Sequence, residues 1–383
     1  MTAPDGLPLH ALAEHNLAAA SPDLLRAMVK TFADALMTAE ADSLCGDENG
    51  QWAAVSYHAS VRPFCARNTR PMTTPPHFAS TRDYVLHLED LGFWQPYIAE
   101  ILKRHGLTVP GQETVAGTGG TFPTYVYGDV VVKLFGHLTS WRGGHLAERA
   151  AQNLLATDFA IAAPRLLGEG RLFDDPVASW PYLITTRMPG ASLESTTEVT
   201  AEQRLEIAGE LGRQVRRVHG LSPSGVVSDL CLPVLDVTAA CAQSSLPAHL
   251  VAQVEVYLDG LRPFDRVVVH GDLTARHTFL DEGRFTGIID WGDTMVTDRH
   301  YELCQVHRDV FRCDKTLLRA FLEAGEWPVE KDFARQAMGL ALHRQARGVA
   351  QHHTMDVFEP VAALLPLQDI ATLDDLAAEL FGV

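Results

Sequence analysis

The sequence has few basic residues relative to acidic ones and no long apolar run. Its 383 residues contain 31 Lys and Arg against 48 Asp and Glu, which gives a formal net charge of −17. Such a balance disfavours nucleic acid and anionic membranes as partners, and it favours a small cationic ligand. No stretch of about 18 consecutive apolar residues occurs, as a membrane-spanning helix would require. With 46% hydrophobic and 21% charged residues, the composition is typical of a soluble globular protein.

Cysteine is also scarce, and its spacing is irregular. The six cysteines form no C-x-x-C pair and stand at positions 45, 65, 231, 241, 304 and 313. This pattern is typical of reduced thiols rather than of a disulfide framework or a zinc site. The N-terminus lacks a basic region followed by an apolar run, which is the pattern of a secretory signal. We therefore expect a cytoplasmic protein, and we expect it to act as a monomer.

The most informative stretch is VVVHGDLTARHTFLDEGRFTGIID, which runs from Val267 to Asp290. The β-branched run VVV predicts a short strand that leads into a turn at His270-Gly271-Asp272. The runs TFL and TGII flank the turn signal DEG and predict a hairpin that ends at Asp290. Two carboxylates, those of Asp272 and Asp290, are thus expected at the ends of apolar segments.

Phosphoryl transfer needs two such carboxylates. One accepts the proton of the substrate hydroxyl, and the other holds the magnesium ion that neutralises the phosphates. The catalytic loop of protein kinases has the form H-x-D, four residues, then N. Asp272 stands at the position of the base and Asp290 at that of the metal-binding aspartate, whereas the asparagine position is occupied by His277.

The segments HGDLTARHTFLD and GIIDWGDTMVTDRHYEL resemble the catalytic and metal-binding motifs of the aminoglycoside phosphotransferase family. With WPYLITTRMPG and ELGRQVRRVHGL, their order over residues 81–383 is most similar to that of the hygromycin-B 7''-O-phosphotransferases. The resemblance implies an α+β, two-lobed, protein-kinase-like fold. Residues 81–187 would form a small β-rich N-lobe, and residues 188–383 would form a larger helical C-lobe with the catalytic loop and the substrate pocket.

The resemblance also implies a reaction and its cofactors. The γ-phosphoryl group of ATP, or of GTP, would be transferred with Mg²⁺ to a hydroxyl of an aminoglycoside antibiotic, which would give resistance. Hygromycin B is the favoured substrate. In this reaction Asp272 would orient the hydroxyl and accept its proton, while His277 and Asp290 would hold the metal.

Four further residues are candidates for nucleotide binding. Lys133 ends the strand-like run Val130–Val132, where a kinase places the lysine that contacts the ATP phosphates. Glu148, in a helix predicted after two glycines, is the candidate partner of Lys133. In the family, the stretch around Thr186 and Met188 is the hinge whose backbone would bind adenine. A surface lysine and a solvated glutamate remain the alternative for Lys133 and Glu148 taken singly.

Acidic residues that follow the metal motif are candidates for binding a polycationic sugar. We predict this role for Asp293 and Glu302, by charge and hydrogen bonding. Asp309 and Asp314 lie close by in sequence. Helix caps and surface charges are the alternative for each of these residues.

The N-terminal part of the chain differs from the rest. Apolar spacing and the sequence Ser21-Pro22-Asp23 predict a helix from Pro22 to Asp42. Residues 20–46 resemble the start of mutator-type transposases, and residues 1–46 are predicted to be a helical extension. Residues 47–80 have no sustained period and several prolines, so they are predicted to form an irregular linker.

Three alternatives to an aminoglycoside kinase stay open at this point. The acceptor could be another small alcohol, such as a macrolide, an amino alcohol or a sugar. Histidine at the metal-ligand position would also suit a pseudokinase with weak catalysis. A DNA-binding transposase derivative is opposed by the net charge of −17.

Overall fold

A computed structural model describes residues 74–383, except 110, 118, 139, 176–177, 227, 230–234 and 353–355. The helices are α1 Thr81–His87, α2 Leu91–Arg104, α3 Trp141–Leu155, α4 Ala201–His219, α5 Val237–Cys241, α6 Ala248–Val251, α7 Val254–Asp259, α8 Tyr301–Gln305, α9 Lys315–Ala324, α10 Phe333–His352, α11 Glu359–Ala362 and α12 Leu373–Phe381. The strands are β1 Thr114–Ala116, β2 Thr124–Tyr127, β3 Val130–Leu134, β4 Leu166–Arg171, β5 Pro181–Thr186, β6 Ala191–Ser192, β7 Ser228–Asp229, β8 Val267–Val269, β9 Thr278–Asp281, β10 Arg284–Ile288 and β11 Met295–Thr297.

The described residues form two compact units. The first contains the described residues before Asp129, together with Val132–Trp141 and Gly170–Tyr182. The second contains Asp129–Val131, Arg142–Glu169 and Leu183–Val383. The predicted boundary between residues 187 and 188 stays a prediction.

The first unit begins with two capped helices. The side chain of Ser80 accepts a hydrogen bond from the Asp83 amide at the start of α1. The side chain of Asp90 accepts a hydrogen bond from the Phe93 amide at the start of α2. The inner face of α2 is buried, with Trp94 fully enclosed.

Part of the predicted linker packs into this first unit. Phe78 is only 6% exposed, and its ring centroid lies 5.2 Å from that of Tyr84 and 5.3 Å from that of Phe93. Pro76 is buried as well. The described residues before α1 have no regular secondary structure, but the side chain of Phe78 is held by aromatic packing. The helix predicted from Pro22 to Asp42, the transposase-like segment and linker residues 47–73 lie outside the described residues.

Five strands form a sheet in the order β1-β2-β3-β5-β4. The pairing of β1 and β2 is antiparallel, with Thr114 opposite Tyr127 and Ala116 opposite Tyr125. The turn between β2 and β3 has Gly128 at φ +57°, a left-handed conformation that glycine adopts without strain. The strand predicted from the run Val130–Val132 is confirmed as part of β3.

The core of the second unit is built around α4 and α9. Thr200 and Gln203 form a capping box at the start of α4, and its apolar face buries Ile207, Leu211 and Val215. The apolar period of the sequence places Leu205 on this face as well, but in the structure its side chain is 40% exposed. At Gly212 an added Cβ would lie 2.1 Å from the Phe321 carbonyl oxygen of α9, so the missing side chain permits a close helix contact.

Two short sheets in the second unit present the catalytic segment. The predicted hairpin is confirmed, because β9 and β10 pair antiparallel around the turn between Asp281 and Arg284. In the other short sheet, β8 pairs antiparallel with β11, with Val269 opposite Met295. Both residues are fully buried. The loop that begins at His270 therefore leaves a strand fixed in the core.

Candidate active site

The loop after β8 depends on a glycine with a left-handed backbone. Gly271 has φ +84°, and a Cβ added there would lie 2.1 Å from the backbone oxygen of Asp293. A side chain would thus meet both backbone strain and a steric clash. This close approach brings the segment around Asp293 against the loop that carries Asp272.

His270 links this loop to the end of the hairpin. Its Nε2 atom donates to the Ile289 carbonyl oxygen at 2.9 Å, and its Nδ1 atom accepts from the Asp272 amide at 3.1 Å. The ring packs against Trp291 with 4.6 Å between centroids. Burial lowers the pKa of His270 to about 4. The residue is therefore neutral near pH 7 and serves as a connector rather than as a proton carrier.

The carboxylate of Asp272 has two distinct sides. Its Oδ1 atom accepts from Gln305 Nε2 at 2.5 Å and from Arg344 Nη2 at 3.3 Å. Its Oδ2 atom lies 3.5 Å from Nδ1 of His277. The side chain keeps 27% exposure, although Arg344 beneath it is buried. One face of a catalytic-type carboxylate is therefore anchored while the residue remains reachable from solvent.

His277 stands between the two predicted carboxylates. Its Nδ1 atom donates to the backbone oxygen of Asp272 at 2.6 Å, which assigns the ring proton to Nδ1. Its Nε2 atom lies 3.4 Å from Oδ2 of Asp290. The lone pair of Nε2 therefore faces a carboxylate, and the structure brings together all three residues that the spacing singled out.

Asp290 is presented by an unusual backbone conformation. It has φ +61°, two positions after the buried Ile288. The next residue, Trp291, is buried, and its indole donates to the Ile288 carbonyl oxygen at 2.9 Å. Left-handed conformations of non-glycine residues are uncommon and are found often at functional sites. The buried indole fixes the turn, so the Asp290 side chain is held outward with 37% exposure.

The donor set fits a magnesium ion. Nε2 of His277 and the carboxylate of Asp290 are a pair of donors that a divalent cation can share, although the imidazole is softer than Mg²⁺ prefers. Among the described residues there is no group of three or more His, Cys, Asp or Glu side chains arranged to hold a metal. Mg²⁺ in phosphotransferases is typically bound by one or two protein groups and completed by phosphates and water, so a two-donor site is sufficient.

The predicted nucleotide-binding residues are distributed over both units. Lys133 belongs to the first unit, where its amine lies 5.8 Å from the ring centroid of Phe135. Glu148 belongs to the second unit and is only 8% exposed. Its Oε2 atom and Oδ1 of Asp290 both lie within 4 Å of the position of a Cβ added to Gly292. The structure therefore brings Glu148 to the metal motif, while its pairing with Lys133 stays a prediction.

The predicted hinge residues are well packed. The Thr186 amide donates to the Arg165 carbonyl oxygen at 2.8 Å, and the Thr186 hydroxyl accepts from the Arg165 amide at 2.9 Å. Met188 is 9% exposed, and its methyl group lies close to Gly287 of β10. Because the amide of Thr186 is already paired, adenine recognition at this residue would fall to its carbonyl oxygen.

The acidic residues predicted to bind substrate have different surroundings. Asp293 is partly exposed. Glu302 is 2% exposed, and its Oε1 atom accepts hydrogen bonds from the amides of His270 and Gly271. Burial raises the pKa of Glu302 to about 7, while those hydrogen bonds and the charge of Arg344 act in the opposite direction. This position favours support of the catalytic loop over a place at a substrate entrance.

The other two acidic residues match the alternative left open for them. Asp314 caps α9 by accepting from the Thr316 amide at 2.7 Å. Asp309 forms a two-pronged ion pair with Arg308, with both contacts at 2.6 Å. Both carboxylates are thus engaged in local structure.

Sequence reasoning missed Gln305 and Arg344, the two partners of Asp272. Gln305 is the last residue of α8, one turn beyond Glu302, and both side chains are buried. Arg344 lies within α10, more than seventy positions from Asp272, and the two residues meet only in the folded chain. The polar run HRQ at 343–345, which follows the apolar stretch AMGLAL of α10, was an available signal.

None of the helices in the described ranges is both long and apolar enough to cross a membrane.

Comparison with known proteins identifies related sequences. The profile of the APH family, described as a phosphotransferase enzyme family, matches residues 112–339, more than half of the chain. The aminoglycoside 3'-phosphotransferase of Streptomyces fradiae is 30% identical over 168 residues, which are 39% of this chain and 59% of the relative. The hygromycin-B 4-O-kinase of Escherichia coli is 24% identical over 166 residues, which are 38% of this chain and 48% of the relative. The chain thus matches about half the length of these curated relatives.

A solved structure supports the architecture. The GDP complex of wild-type aminoglycoside 2'-phosphotransferase-IIIa superposes with a TM-score of 0.54 at 15% sequence identity. The match covers 75% of this chain and 99% of that one. At this identity the likeness concerns the fold alone. The predicted kinase-like α+β fold class is confirmed.

Proposed function

Because this chain belongs to the APH family of phosphotransferase enzymes, we propose that it transfers the γ-phosphoryl group of ATP, or of GTP, to a hydroxyl of an aminoglycoside antibiotic. Hygromycin B is the favoured acceptor, with the 7''-hydroxyl as the favoured position. One observation carries the proposal: Asp272, His277 and Asp290 converge, with Nε2 of His277 3.4 Å from the Asp290 carboxylate.

Asp272 acts as the base in this proposal. Gln305 and Arg344 hold Oδ1, and the carboxylate accepts the hydrogen bond of the acceptor hydroxyl. It orients the hydroxyl toward the phosphoryl group and takes the proton as the new P–O bond forms. Its 27% exposure is compatible with access by a substrate.

His277 and Asp290 would hold the magnesium ion. When bound, Mg²⁺ neutralises charge on the phosphates and orients them. Contacts within the protein orient both donors: the Asp272 carbonyl oxygen fixes the His277 ring, and the buried Trp291 fixes the Asp290 turn. Both donors are thereby oriented without any movement of the loop.

Lys133 is proposed to contact the phosphates and Glu148 to hold Lys133, with the backbone near Thr186 and Met188 binding the base. Among the acidic candidates, Asp293 is the one proposed to contact an amino group of the acceptor. It is partly exposed and lies in the segment that touches Gly271. The net charge of −17 supports a cationic acceptor by long-range attraction.

The test is turnover of ATP and of GTP with a panel of acceptors, with and without Mg²⁺. The panel contains hygromycin B, other aminoglycosides, a macrolide, an amino alcohol and simple sugars. We expect magnesium-dependent turnover with aminoglycosides, highest with hygromycin B. Turnover confined to another class of alcohol would reject the aminoglycoside assignment. Nucleotide binding without turnover on any acceptor would identify a pseudokinase.

His277 provides a prediction specific to this chain. We expect His277→Asn to retain activity with Mg²⁺, because the amide oxygen is a harder donor that suits the ion. His277→Ala should lower kcat/KM at least about tenfold, which is about 1.4 kcal/mol of transition-state stabilisation. The measurement is kcat/KM across a range of Mg²⁺ concentrations. Exposed His249, replaced by alanine, is the control. Identical magnesium dependence of wild type and His277→Ala would remove His277 from the metal site.

A further inference from the structure

Arg344 reaches the catalytic loop from a distant helix. It lies in α10 with 5% exposure, and its Nη1 atom donates to the Gly271 carbonyl oxygen at 2.8 Å. Its Nη2 atom contacts Oδ1 of Asp272 at 3.3 Å. The guanidinium thus spans the backbone and the side chain of two consecutive residues of the loop.

Gln305 contacts the same oxygen from another direction. Its Nε2 atom donates to Oδ1 of Asp272 at 2.5 Å, and the residue is 2% exposed. A carboxylate turns readily about its last side-chain bond, and two donors on one oxygen restrict that rotation. Oδ1 is therefore the oxygen through which these two donors fix the carboxylate.

We propose that Arg344 and Gln305 are positioning residues for the reaction, which together hold the carboxylate of Asp272 in the orientation that the acceptor hydroxyl requires. This inference rests on the proposed function. Neither side chain is placed to touch the substrate, since both are buried and act through Asp272.

The surroundings of Arg344 fit a fixed cation rather than a mobile one. Its guanidinium carbon lies 5.1 Å from the ring centroid of Tyr301, which is itself buried. A planar guanidinium packed on an aromatic face keeps its orientation, and a lysine cannot reproduce the two directed contacts. Burying the charges of Arg344 and Asp272 costs desolvation free energy. A role in orienting the reactive carboxylate is a physical reason for keeping this pair.

The experiment compares Arg344→Met, Arg344→Lys and Gln305→Leu with wild type. We expect kcat to fall at least about tenfold in Arg344→Met and Gln305→Leu, because small misplacements of a reactive group lower rates strongly. KM for ATP should change less than about twofold, since ground-state binding of the nucleotide does not involve Asp272. Arg344→Lys should lose less activity than Arg344→Met, because lysine keeps the positive charge although it lacks the two-pronged geometry of the guanidinium.

The matched control is Arg335→Met on the same helix. Arg335 also pairs with an aspartate, Asp374, at 2.6 Å, but it does not contact the catalytic loop. Its replacement should leave kcat within about twofold of wild type. Thermal unfolding of every variant separates lost structure from lost positioning. If Arg344→Met does not fold, Arg344→Lys and Gln305→Leu decide the matter by the same kcat criterion.

A double-mutant cycle identifies the route of action. In an Asp272→Asn background, single-turnover labelling measures the residual transfer, and Arg344→Met should lower it less than about twofold. A further tenfold loss would assign Arg344 a general structural role and overturn the inference. Folded single variants whose kcat equals that of wild type would also overturn the inference. A wild-type protein that phosphorylates none of the acceptors would instead reject the proposed function itself.

Discussion

Replacing Asp272 by alanine should lower kcat by about 10²–10⁴-fold, the range that a positioned general base supplies. Nucleotide affinity should stay within about threefold, because the base acts in the transition state far more than in the ground state. The structure adds a reason for the selectivity of this effect. Asp272 contacts Gln305, Arg344 and His277, and its side chain keeps 27% exposure.

The measurement is kcat with the best acceptor, together with calorimetric titration of ATP. Asp272→Asn is the more conservative variant, because its side-chain oxygen can still accept from Gln305 and Arg344 while it can no longer take a proton. Asp281→Asn, at the exposed hairpin turn, is the matched control for loss of one carboxylate. Turnover of Asp272→Ala near that of wild type would remove Asp272 from its assigned role.

Gly271→Ala should be the second most damaging substitution. The new methyl group would require φ +84° at a non-glycine residue and would lie 2.1 Å from the Asp293 carbonyl oxygen. The strain alone costs about 1–3 kcal/mol of stability. Relief of the clash requires movement of a backbone segment by about 1 Å, which lowers kcat about 100-fold when the segment carries the base.

Gly106→Ala separates strain from clash. Gly106 has φ +68°, but an added Cβ there meets no atom within 4 Å. We expect this variant to lose stability in chemical denaturation while keeping kcat close to wild type. Gly271→Ala should lose both stability and kcat. Equal kcat values for the two variants would show that the close approach of Asp293 to Gly271 does not matter for catalysis.

Much of the local structure could be predicted because it follows from local rules. The strand Val267–Val269, the hairpin that ends near Asp290 and the helix after Thr200 are encoded by residue type and period. Leu205 was placed wrongly for a physical reason. Periodicity gives the direction of a side chain around the helix axis, but it does not show how far the neighbouring elements extend to cover it.

The candidate site could be predicted in part. Kinase-like spacing singled out Asp272, His277 and Asp290, and the structure brings them within hydrogen-bonding or metal-binding range of one another. Spacing could not show that Glu302 is buried beneath the loop, with its carboxylate on two backbone amides. Acidic residues look alike in sequence whether they cap, support or face solvent, since burial is a property of the folded chain.

The sequence by itself determined the order of the strands and turns, the two carboxylates with the histidine between them, and the chemistry that such residues can perform. Those features depend on short-range spacing, which the covalent chain fixes. Only the tertiary structure decided which residues hold the carboxylate of Asp272 and which of its oxygens they contact. Arg344 and Gln305 reach Asp272 from 72 and 33 positions away. Contacts over such separations arise from the packing of whole helices, and no local pattern encodes them.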